Sequence, residues 1–173
     1  DHTLVGSPFQ NVLAGKASPM SDSVSVAHLI AKDYSIIYLT HRPEVMSGTS
    51  RAWLNEHDYP SGVLLNSTLT QVVLGSGKYK TDRLAELKRS FPNIQIGIGD
   101  KVSDAEAYLK NGLTAYLIPH YDADEADDTR DMAKEIRNLA RYPKLQVVAS
   151  WQQIQTGIFN RKKFPPIPFA EQL

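Results

Sequence analysis

Cysteine is absent from the 173 residues, which excludes disulfide bridges, thiolate metal sites and a cysteine nucleophile. That absence assigns no compartment, because a chain without thiols is indifferent to redox. There is also no run of about 18 apolar residues, the length that a membrane-spanning helix needs. No basic-then-apolar leader opens the sequence, although one could lie upstream of Asp1; the expected location is cytoplasmic. An excess of one charge is missing too, since 19 basic residues face 19 acidic ones. Charge therefore gives no support for sequence-independent nucleic-acid binding. With 42% hydrophobic residues, the chain is long enough for one well-buried domain and short for two.

Short apolar runs alternate with helical patterns, which predicts an α/β fold with a parallel sheet. The strand candidates are residues 35–40 (SIIYLT), 62–65 (GVLL), 94–98 (IQIGI) and 114–118 (TAYLI), with 146–149 (QVVA) weaker. Helices are expected from Asp22 or Ser23 to about Lys32, and from Pro43 in a first turn to about Glu56. Others are expected from Lys80 or Thr81 to near Ser90, and from Ser103 or Asp104 to the C-cap pair Asn111-Gly112. Two more cover residues 126–141 and 150–159. The stretch YDADEADD, five acids in eight residues, reads as a solvated helix start that complements the helix dipole. Residues 161–173 (RKKFPPIPFAEQL) read as an extended, Pro-rich tail on the surface of a core domain covering residues 1–160. Trp53 and Trp151 read as core anchors, His28 as a packed residue, and His57 and His120 as exposed polar ones.

Ligands of open α/β sheets sit outside the carboxyl ends of the strands, so the residues after each strand matter most. After the first strand comes THRP, with Thr40, His41 and Arg42 at the sheet edge. A lysine-rich stretch, KYKTDRLAEL, enters a helix. After IQIGI comes GDKVSD, with Asp100 and Asp104 four residues apart. Each motif alone is common, but their order is specific. DHTL, YLTHRP, YKTDRLAEL and GDKVSD resemble, in this order, the four motifs of the haloacid dehalogenase (HAD)-like superfamily of phosphohydrolases. The resemblance covers residues 1–120.

That resemblance implies a three-layer α/β sandwich around a parallel, Rossmann-like sheet, and a Mg2+-dependent phosphohydrolase working through an aspartyl phosphate. The family's first motif is strand–Asp-x-Asp-x-Thr-Leu, and DHTL matches its second half. Asp1 then becomes the general acid/base, with its main-chain carbonyl on the metal, and the nucleophilic aspartate lies two residues upstream. A rival frame makes Asp1 itself the nucleophile. Either frame implies a central strand before Asp1, so the chain is expected to be incomplete at its N-terminus. Asp100 is implied as a metal ligand, with Asp104 one helical turn on completing the acidic set. Lys80 would bring a compact positive charge to the phosphate, and Thr40 a hydroxyl hydrogen bond. Thr3, His41 and Arg42 would contact substrate.

Bland readings stand beside these. Asp104 could simply cap a helix, Thr40 could be ordinary turn chemistry, and Lys80 could be solvated. A cation at a helix start is unfavourable, however, which tilts Lys80 towards function. Neither gap between motifs has room for a cap domain. A capless site implies large substrates or capping by a second copy of the chain. YKTDRLAELKRSF and GDKVSDAEAYLKNG are similar to the phosphatase-like C-terminal domain shared by lipins and the large phosphatidylinositol-transfer proteins. That branch implies phosphatidate as ligand, hydrolysed by lipins and bound without turnover by the transfer proteins. The transfer-protein domains lose acidic positions, whereas GDKVSD keeps both. The alternative to an enzyme is therefore a module on the same fold that binds a phosphorylated lipid headgroup. A receiver domain fits poorly, because its phosphorylated aspartate follows a middle strand and its lysine follows the last.

Overall fold

The computed structural model describes residues 3–6, 17–68 and 76–173, which form a mixed α/β structure divided into two compact units, residues 1–80 and 81–173. The first unit holds α1 (Ser23–Ala31), β1 (Ile36–Pro43), a 3-10 turn (Glu44–Met46), α2 (Ser47–Glu56), β2 (Gly62–Ser67) and the start of α3 (Ser76–Ser90). The second unit takes the rest of α3 and continues through β3 (Ile96–Gly99), α4 (Val102–Lys110), β4 (Thr114–Leu117), α5 (Ala126–Leu139), β5 (Leu145–Val147), α6 (Trp151–Phe159) and α7 (Pro166–Ala170).

All pairings between these strands are parallel, as the alternation of strand and helix predicts. In the first unit β1 pairs with β2 from Ile36↔Gly62 to Leu39↔Leu65. The small core beside them gathers Val5, Ala17, Ala27, Trp53 and Tyr59. Its aromatic polar atoms are satisfied inside: Trp53 Nε1 donates to the Ala17 carbonyl at 2.9 Å, and the Tyr59 hydroxyl donates to that of Leu4 at 3.1 Å. Burying such groups without partners would cost about 1–3 kcal/mol each. His28 is not packed here. The turn of α1 buries Val26, Ala27 and Ile30, which puts His28 outside, where its Nε2 lies 2.6 Å from the Asp58 carbonyl oxygen.

In the second unit the strand order is β3–β4–β5. The middle strand, β4, buries Ala115, Tyr116 and Leu117, as an interior parallel strand covered on both faces should. Helices supply the cover through apolar stripes: Ala133, Ile136 and Leu139 on α5, and Trp151, Ile154 and Gly157 on α6. Gly157 is needed for closeness, since a Cβ there would lie 2.6 Å from the Tyr116 hydroxyl.

Several boundaries differ from the sequence reading, and three differences bear on the site and the tail. Pro43 ends β1 instead of opening a helix, and α2 begins at Ser47 after the 3-10 turn. α3 begins at Ser76, so Lys80 sits inside the helix and not at its start. The tail is extended only up to Pro165, and residues Pro166–Ala170 form a short helix. The prolines permit it because the first four N–H groups of a helix have no intrahelical partner to lose. The tail docks on its own unit: Val147 N donates to the Phe164 carbonyl at 2.9 Å, and Phe164 N to Gln146 Oε1 at 2.7 Å.

Candidate functional site

Asp100 follows the last residue of β3, at the carboxyl end of the strand where α/β sheets bind ligands. Lys101 caps α4, and Asp104 falls in that helix's first turn, where the dipole favours negative charge. Both acids are buried, with 3% and 1% of their surface exposed. Two strand glycines make this arrangement possible. An added Cβ on Gly97 would clash with the Tyr108 ring, and one on Gly99 would lie 2.8 Å from Asp104 Cβ. Glycine at both positions lets α4 press against β3 and bring Asp104 beside the strand end.

Tyr108, four residues after Asp104 and so one turn along the same helix face, fills the space that the glycines leave. Its hydroxyl donates to the Ile98 carbonyl at 3.0 Å. Burial pushes its ionisation well above the usual phenol range, and the negative charges of Asp104 and then Asp100 push it further.

The donors suit a hard cation. Among the described residues no three His, Asp or Glu side chains converge into a ready-made cage. Mg2+ does not require one, since it takes one or two carboxylates and completes its octahedron with waters and phosphate oxygens. Asp100 and Asp104 would hold it, and the ion would offset the charge of a phosphoryl group.

In the first unit, Thr40, His41 and Arg42 lie within β1, not after it. The β1–β2 register shifts between Leu39 and Pro43, because Leu39 faces Leu65 while Pro43 faces Ser67. The extra β1 residues in this irregularity are the THR of the motif, and bulges of this kind re-aim side chains near functional sites. β2 holds the irregularity in place: Ser67 Oγ donates to the His41 carbonyl at 2.7 Å and Asn66 Nδ2 to the Arg42 carbonyl at 3.3 Å. The Thr40 hydroxyl accepts from Arg42 N at 3.2 Å, and Arg42 Nη1 donates to Ser50 Oγ at 3.1 Å. Burial lowers the ionisation of the Arg42 guanidinium.

The buried Tyr79 anchors α3 to this strand end. Its hydroxyl donates to the Asn66 carbonyl at 2.7 Å, and its ring lies 5.5 Å from that of His41. Lys80, the next residue, is half-buried. Thr3 is half-buried on a segment fixed by Met20 N donating to the Leu4 carbonyl at 2.7 Å. Asp1 lies outside the described residues. The first unit therefore gathers Thr40, His41 and Arg42 at one strand end, and the second gathers Asp100 and Asp104 at another. Sequence reasoning missed Ser50, Tyr79, Gly97, Gly99 and Tyr108. The alternating glycines of IGIGD and the four-residue step from Asp104 to Tyr108 were the available signals.

Residues 1–120 match the family described as "PITM 1-3, LNS2 domain". The chain belongs to the LNS2-domain family. Every motif from DHTL to GDKVSD falls within the matched part of this LNS2 domain, while α5, β5, α6 and α7 lie beyond it. No curated protein matches the chain. Among the described residues no helix is long and apolar enough to cross a membrane.

Proposed function

We propose that this LNS2 domain is a Mg2+-dependent, HAD-like phosphohydrolase acting on a phosphomonoester, with phosphatidate or another large phosphorylated molecule as substrate. The observation that carries this reading is the retention of Asp100 and Asp104, both buried at the carboxyl end of β3. Two carboxylates at a strand end supply the hard oxygen donors that a divalent cation takes together with a phosphate oxygen.

The remaining roles rest on motif order. Asp1 protonates the leaving alcohol and then takes a proton from the attacking water. A carboxylate nucleophile, as in the family's first motif, would split a difficult displacement into two easier steps. Lys80 neutralises phosphate charge, Thr40 donates a hydrogen bond, and Thr3, His41 and Arg42 contact substrate.

The match to the PITM branch favours a second reading, a module that binds a phosphorylated headgroup without turnover. Assay of inorganic phosphate released from dispersed phosphatidate, with Mg2+ and with a chelator, separates the two. Mg2+-dependent release supports the enzyme. Retention on phosphatidate vesicles without release supports the binding module, and neither release nor retention overturns both.

A further inference from the structure

The chain as a whole is neutral, yet the second unit sorts its charges. On α5 the exposed cations Arg130, Lys134 and Arg137, with Arg141 just past its end, recur at steps of four, three and four residues. That spacing keeps them on one stripe. Arg130 pairs with Asp127. Arg137 Nη2 donates to the Ala170 carbonyl at 2.8 Å, so the stripe runs alongside α7. Residues 159–170 add Arg161, Lys162 and Lys163, all exposed, and no acid.

Apolar groups are interleaved with these cations in the open. Phe159 is 40% exposed and Ile167 42%, and Pro165 and Pro168 are exposed beside them. The segment is held in shape. Arg161 adopts a left-handed backbone with φ 56, Lys162 lies over the Phe164 ring at 5.4 Å, and the Phe164 backbone is bonded at both its N–H and its carbonyl.

We propose that this face, made of the basic stripe of α5 and residues 159–168, docks on an anionic phospholipid bilayer. Cations near such a surface gain from its negative potential, and exposed apolar side chains gain by entering the headgroup boundary. An acidic polymer would reward the cations and at most the single exposed aromatic Phe159, leaving aliphatic Ile167 and the two prolines without a use. The surface lies outside the matched residues 1–120 and uses none of the proposed phosphate-handling side chains.

Co-sedimentation of the full chain with phosphatidylcholine vesicles, with and without phosphatidylserine, tests this. Phosphatidylserine carries a phosphodiester, so the phosphomonoester reading is not probed. Binding is expected only to the anionic vesicles and to weaken as salt rises. R161A/K162A/K163A should lower partitioning about a hundredfold, at about 1 kcal/mol per lost cation. F159S/I167S should also weaken binding while keeping the salt dependence. K134Q/R141Q, which leaves the tail intact, should weaken binding and reduce that dependence, and Asp100→Asn should bind like the parent. Equal binding to neutral vesicles, unchanged binding in the charge variants, loss in Asp100→Asn, or binding to heparin but not to vesicles would each overturn the proposal.

Discussion

The Tyr108 hydroxyl donates to the carbonyl of Ile98 at 3.0 Å, tying α4 to β3 two residues before Asp100. The Tyr108 side chain is buried, and the carbonyl it reaches is half-buried. Tyr108→Phe removes that bond and should cost about 0.5–1.5 kcal/mol. A lowered Tm with unchanged far-ultraviolet circular dichroism is the expected outcome. An unchanged Tm would mean that the bond does not hold the helix to the strand.

Gly97 and Gly99 carry the close approach of α4 to β3. Gly99→Ala places a Cβ 2.8 Å from Asp104 Cβ, and Gly97→Ala meets the Tyr108 ring. Overpacking of this kind costs about 1–3 kcal/mol, occasionally more. Gly97→Ala should be the worse, because a rigid ring gives way less easily than a side chain. Denaturant midpoints measure this, and equal midpoints for wild type and both variants would contradict the packing account.

Alkali should weaken the first unit through Tyr38. Its hydroxyl donates to the Pro60 carbonyl at 2.7 Å, and burial, followed by Tyr59, pushes its ionisation from 10.0 up to about 12. A raised folded-state value favours the neutral phenol. The associated stability is therefore complete below pH 10 and lost as pH rises from 10 through about 12. Tm should fall across that window, and less steeply in Tyr38→Phe. An identical slope in the variant would assign the loss to other groups.

Much of this fold is legible in the sequence because its signals are local. GVLL, IQIGI and TAYLI are apolar runs bounded by Gly, Asn or Pro, and a strand overlaps each: β2 opens on GVLL, β3 takes the end of IQIGI, and β4 lies within TAYLI. The end of β1 was not legible, because it depends on Asn66 and Ser67 reaching across from β2 to hold an irregular register. The α7 helix was hidden because proline reads as a breaker, and only its place in a first turn makes it harmless. His28 was misplaced because a neighbouring Leu29 says less than the full turn of the helix, which buries Val26, Ala27 and Ile30.

The candidate site divides in the same way. Asp100 and Asp104 were visible as a spaced acidic pair after a strand. Tyr108 was not, because its role comes from close packing over two glycines, and nothing in a single tyrosine announces that.

The most direct test of the central claim is release of inorganic phosphate from a phosphomonoester at saturating Mg2+, with wild type and Asp100→Asn in parallel and their Tm values matched. The account predicts Mg2+-dependent turnover in the wild type and a loss of about two to three orders of magnitude or more in the variant, as expected when a charge-stabilising contact is removed. Equal turnover in the two proteins would contradict the assignment of Asp100 to the metal.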